Sequence, residues 1–172
     1  MPERNRRLAV IAGLFFLSGF SALVHQIAWQ RLLGLFGGAD TVASTLVVSA
    51  FLADLGLGSV IGGLYADRLT RRRAMVLFGL CELLIALYGA LSVPLFYDVL
   101  FLGLVELSRS RLLVLAIAFI SLLVPTALMG MSLPFLSRAM IDDIDSAPER
   151  IGTLYAINTL GAGVGAWSLD SG

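Results

Sequence analysis

The stretch TVASTLVVSAFLADLGLGSVIGGLYADRLTRRR, Thr41 to Arg73, decides the fold. Between Asp40 and Asp67 it carries one charge, Asp54, and it then passes into Asp67-Arg68 and Arg71-Arg72-Arg73. A hydrocarbon core is crossed by about 20 helical residues at roughly 1.5 Å each. The run meets that length, far exceeds a strand and lacks alternation at period two, so it reads as a membrane helix closed by a basic turn, not as a barrel strand.

Four further intervals follow the same rule. One opens at Leu8 after Arg6-Arg7 and ends near Trp29, interrupted by His25 and Gln26. Another lies between Arg73 and Asp98 with Glu82 inside it, and a third runs uncharged from Leu112 to Ser137. The last, Ile151 to Leu169, is short, glycine-rich and contains Asn158. The expected architecture is an all-α membrane protein with a single transmembrane domain over residues 1–172 and about five spans, at 8–29, 41–65, 74–97, 112–137 and 151–169. Residues 98–111 are too polar to span and too apolar for a plain connection, which suggests an interfacial helix or a partly ordered loop.

Composition agrees. Of 172 residues 58% are hydrophobic and 14% charged, whereas a soluble domain carries about 25% charged residues. Mean hydropathy is +0.92. These values exclude a secreted disulfide scaffold, a disordered tail and an ordinary cytosolic enzyme. The lone Cys81 has no partner for a disulfide or metal site, and no cofactor site is expected. Net charge is zero, so no global field draws the chain to nucleic acid; the expected surroundings are the lipid bilayer. With the N-terminus on one side, that side receives Arg4, Arg6, Arg7, Arg68, Arg71, Arg72, Arg73, Arg138 and Arg150, and the other Arg31, Arg109 and Arg111. The bias predicts a cytoplasmic N-terminus in a multi-pass protein of a bacterial-type inner membrane. The first span could also be taken for a signal peptide, but no small-x-small cleavage site precedes His25-Gln26.

The link from Gly62 to Arg73 resembles the conserved loop motif of major facilitator transporters: Gly63, then Asp67-Arg68 four residues on, then Arg71 and Arg72. Glycine at a helix end allows close backbone approach, and Asp67 can accept charge-assisted hydrogen bonds. Equally, any tight cytoplasmic hairpin gathers Arg.

A second resemblance covers more of the chain, from about residue 10 to 166. Ser18 to Gly34 (SGFSALVHQIAWQRLLG), Leu55 to Ser59 (LGLGS), Pro125 to Pro134 (PTALMGMSLP) and Leu154 to Ala162 (LYAINTLGA) look like the membrane part of fused spermidine synthase-type proteins. In that family transporter-like helices precede a soluble polyamine aminopropyltransferase domain. The resemblance implies a major-facilitator-like partial bundle, a setting in polyamine biosynthesis, and helices that anchor or feed a transferase domain which is absent from these residues. The family usually has an acidic residue where Gln26 stands and a small one where Asp54 stands.

Gly161-Ala162-Gly163-Val164-Gly165 has the glycine spacing of a nucleotide-binding turn but neither the preceding strand nor a following acidic residue. Gly161 and Gly165, like Gly58 and Gly62, are four apart on one helix face and read as close-packing positions. Charges within spans are costly, which makes Asp54 and Glu82 candidates, with His25 and Asn158 as further polar positions. Two readings stand for the carboxylates: hydrogen-bond anchors between helices, or groups that handle substrate or protons. Pro125 and Pro134 remove backbone donors inside the fourth span, where Thr126 and Ser132 can bond carbonyls left free. Rivals to the polyamine reading are a half-transporter that forms a homodimer and an inactive truncated product. No catalytic residue is expected within the chain.

Overall fold

A computed structural model describes residues 2–36, 41–103, 110–140 and 147–170. Among these residues every regular element is a helix. In chain order they are α1 (Pro2–Phe36), α2 (Thr41–Ala66), α3 (Arg71–Phe96), α4 (Arg111–Met140) and α5 (Ala147–Asp170), with a π-helical segment, Tyr97–Gly103, directly after α3. Four of them hold stretches long and apolar enough to cross a membrane: Ala9–Leu33, Val48–Ala66, Arg71–Ser92 and Leu115–Met140. Helix α5 has 24 residues but is not among the four, because Thr153, Asn158, Thr159 and Ser168 dilute its apolar character.

Long helices are the physical consequence of such sequences, since a backbone in hydrocarbon must satisfy its hydrogen bonds within its own segment. α1 outruns the expected span at both ends, taking in the basic N-terminal segment and the residues after Trp29. α3 starts at a cap. The Thr70 hydroxyl accepts from the Arg73 N–H at 3.4 Å, and the Ala74 N–H donates to the Thr70 carbonyl at 2.9 Å. The expected interfacial segment is divided: residues 98–103 are π-helical, 104–109 lie outside the described residues, and α4 has begun by Arg111. Asp40, Asp142, Asp143 and Asp145 also lie outside the described residues.

Two prolines do not break α4, which remains one helix of 30 residues. A proline leaves the carbonyl four residues before it without its helical donor, here Ser121 for Pro125 and Gly130 for Pro134. Both carbonyls face hydroxyls of neighbouring helices. The Tyr88 hydroxyl of α3 donates to Ser121, and the Ser59 hydroxyl of α2 lies 3.2 Å from the Gly130 oxygen. The Ser59 hydroxyl also lies 3.0 Å from the Leu55 carbonyl of its own helix and shares its one hydrogen between the two.

The chain divides into two compact units, one of Gln26–Ala139 and one of Met1–His25 with Met140–Gly172. In the larger unit Trp29, Leu33, Ala50, Phe51, Phe96 and Leu122 form the apolar core. Trp29 is buried there because its indole N–H has a partner, the Ser92 hydroxyl at 2.7 Å, and its ring meets Tyr88 edge-on at 5.7 Å. In the smaller unit α5 crosses the first part of α1. Leu64, Leu83, Ile120, Leu160 and Trp167 are each more than 60% exposed, whereas Asp54, Ser92, Thr126 and Ser132 are buried. Apolar outside and polar inside is the arrangement lipid contact favours, since helices then associate through close packing and hydrogen bonds.

Candidate functional site

The site begins at the crossing of α2 and α4. A side chain at Gly58 would collide with the Ala127 carbonyl, one at Gly62 would come within 2.8 Å of the Met131 Cα, and one at Gly130 would strike the Leu55 carbonyl. The missing side chains let two backbones touch. Contacts advance together along both chains, from Gly58 with Ala127 to Gly62 with Met131, so the helices run in the same direction.

Asp54 stands one helical turn before Gly58 and is wholly buried, at 0% exposure. Neither of its carboxyl oxygens has a hydrogen-bond partner. The polar neighbour acting on it is the Thr126 hydroxyl of α4. That hydroxyl has a single hydrogen, and the geometry gives it to the Leu122 carbonyl. Glu82 is placed differently. It is half-buried, and the Ser132 hydroxyl lies 2.9 Å from its Oε1, which joins α3 to α4. The hydroxyl beside Glu82 bonds it across two helices, whereas the hydroxyl beside Asp54 bonds a carbonyl of its own helix.

The smaller unit repeats the crossing. Gly161 fits against the Phe16 carbonyl, Gly165 against Phe20, and Gly19 against the Asn158 backbone. These are the same three contacts as Gly58 with Ala127, Gly62 with Met131, and Gly130 with Leu55. Each α4 number is its α1 equivalent plus 111, and each α5 number its α2 equivalent plus 103. The pair α1 and α5 therefore matches α4 and α2 residue by residue. Identities follow the register, with Gly19 and Ser21 matching Gly130 and Ser132, and Leu57, Gly58, Gly62 and Asp67 matching Leu160, Gly161, Gly165 and Asp170. The polar content differs. Asn158 donates through Nδ2 to the Phe15 carbonyl at 3.2 Å, where the other crossing has Leu55 and Thr126. Ile157 and Phe15 occupy the positions equivalent to Asp54 and Thr126.

The remaining candidates lie apart from this site. His25 Nδ1 is 2.8 Å from the Ser21 carbonyl, one turn back on its own helix. Gly63 faces open space, and the close approach belongs to Gly62. Asp67, Arg68, Arg71 and Arg72 are exposed at the α2–α3 turn. That turn is tied to α4 by Arg138, whose Nε donates to the Leu69 carbonyl at 3.0 Å. Sequence reasoning passed over Trp29, Tyr88 and Ser92, although an aromatic and a hydroxyl inside an apolar run are a signal that each needs a partner. Comparison with protein-family models finds no match, and searches of curated proteins and of solved structures likewise find none.

Proposed function

We propose that this chain is the transporter-like membrane part of a spermidine synthase-type protein, in which the helices anchor or feed a soluble aminopropyltransferase domain. One observation carries the reading. The four stretches that bear the family resemblance contain Gly19, Gly58, Gly130 and Gly161, and each of these glycines lies at one of the two helix crossings. These four glycines thus belong both to the resemblance and to the helix packing, while Gly56 in the second stretch meets open space.

On this reading α5 is the fifth span. It crosses α1 in the same direction, as the order of the Phe16–Gly161 and Phe20–Gly165 contacts requires; Asn158 bonds α1, and the hydroxyls of Thr153, Thr159 and Ser168 bond carbonyls of α5 itself. The N-terminus and the Arg68–Arg73 turn lie in the cytoplasm of a bacterial-type cell, and the helices form a major-facilitator-like partial bundle. The twofold use of one crossing also suits a half-transporter, since transporter folds are built from repeated helix sets.

The test compares the tagged chain purified from membranes of its own host with the same chain made in a host that lacks aminopropyltransferases. Both are supplied with putrescine and decarboxylated S-adenosylmethionine. Spermidine is expected only with the first preparation, where a transferase accompanies the chain. Product from neither would remove the polyamine reading, and product from both would place the chemistry in this chain.

A further inference from the structure

We propose that Asp54 is a proton-binding site: a carboxylic acid held neutral at the α2–α4 crossing that releases its proton only when the two helices part. The first ground is geometric. The residue has no exposure, and both carboxyl oxygens are sealed from solvent without a hydrogen bond. A carboxylate left this way in a low-dielectric interior is far costlier than its neutral form. The neutral acid fits the surroundings. Its O–H can donate to the Thr126 oxygen while the Thr126 hydrogen stays on the Leu122 carbonyl.

The second ground is the repeated crossing. If a carboxyl were needed to hold these backbones together, the equivalent crossing of α1 and α5 would need one too. It carries Ile157 opposite Phe15 at those positions and makes the same glycine contacts. The glycine contacts therefore form without a carboxyl at the equivalent position, and there the interhelical hydrogen bond comes from Asn158, whereas Asp54 makes none.

The third ground is what else could neutralise the charge. Titratable groups on the described helical segments around α2 in this unit are Arg31 on α1, Arg71, Arg72, Arg73, Cys81, Glu82 and Tyr88 on α3, Tyr97 and Asp98 just after it, and Arg111 and Arg138 at the ends of α4. None of them hydrogen-bonds Asp54, whose two oxygens are buried without a partner. A hard cation such as calcium takes about six to eight oxygen ligands, against one carboxyl and one hydroxyl here. An alkylammonium group needs open space beside the oxygens, and they have none. A proton is the occupant that fits. On release the carboxyl O–H bond breaks, a water admitted by separation of the helices takes the proton, and the carboxylate remains. Helix separation and proton release are thus coupled, and this holds whichever soluble domain the chain serves.

The experiment is infrared spectroscopy of the chain in nanodiscs near neutral pH, reading the carbonyl stretch of a protonated carboxylic acid. The band is expected in the parent, lost in Asp54→Asn, kept in Glu82→Gln, and unchanged when sodium replaces choline in the buffer. Isotopically labelled aspartate should shift it in the parent, which keeps the test decisive if the variant does not fold. An absent band, a band that ignores aspartate labelling, or one that survives Asp54→Asn would overturn the proposal. Loss of the band on adding sodium would also overturn it, in favour of a cation site.

Discussion

The crossing of α1 with α5 and the crossing of α2 with α4 share three glycine contacts in one register and differ in what surrounds them. In the first, Asn158 bonds a carbonyl across the interface; in the second, Asp54 lies buried and bonds nothing. The comparison separates two roles that a membrane helix often merges. Absent side chains set how near the backbones come, while the polar residues beside them are free to differ, and so are the places to look for function.

The largest effects should come from filling the glycines. Gly58→Leu and Gly161→Leu should each cost about 3 kcal/mol, the upper end for overpacking, which lowers the melting temperature by roughly 6–12 °C for a chain of this size. Gly63→Leu and Gly163→Leu, where a side chain meets open space, should melt with the parent. Thermal unfolding in detergent reads all four. A severe Gly58→Leu beside a harmless Gly161→Leu would break the equivalence of the crossings.

Next comes the proline-freed carbonyl of Ser121. Tyr88→Phe removes its donor and should cost about 1 kcal/mol. In a Pro125→Ala background, where α4 can supply its own N–H, most of that cost should vanish. A double-mutant cycle with no coupling would show that the Tyr88 hydroxyl is not compensating for the proline.

The smallest effect is expected at Asn158. Replacing it with Leu, the residue at the equivalent position 55, removes one interhelical hydrogen bond, worth about 0.6 kcal/mol on average in membrane proteins. The variant should fold with a slightly lower melting temperature. A loss as large as that of Gly161→Leu would mean that the smaller unit depends on its polar contact after all.

Much of this architecture is legible from charge spacing alone. Each interval between charges overlaps one helix, because a backbone in hydrocarbon has few alternatives to a helix. Their ends were less visible. No apolar pattern marks the extension of α1 to Pro2, which runs through a polar, basic segment. The glycine pairs four apart were readable as packing positions, but their partners were not, since a spacing on one helix does not name the helix opposite. The repeat was within reach as well: Leu-Gly-x-x-x-Gly occurs at residues 57–62 and 160–165, and Gly-x-Ser at 19–21 and 130–132. Such short matches mean little until contacts show that they fall in one register. Asp54 and Glu82 looked alike in sequence, each a lone acid in an apolar run. Only the neighbouring hydroxyls tell them apart, since Ser132 bonds Glu82 whereas Thr126 bonds the Leu122 carbonyl and leaves Asp54 without a bond.

The central claim, that the α2–α4 crossing does not need its carboxyl, is tested most directly by the thermal unfolding of Asp54→Leu in nanodiscs. The variant carries an apolar side chain where the sister crossing has Ile157. The account predicts a melting temperature equal to or above that of the parent, together with loss of the protonated-acid signal. A loss of about 3 kcal/mol or more, the size seen when a buried ion pair is broken, would contradict it and make Asp54 a structural anchor.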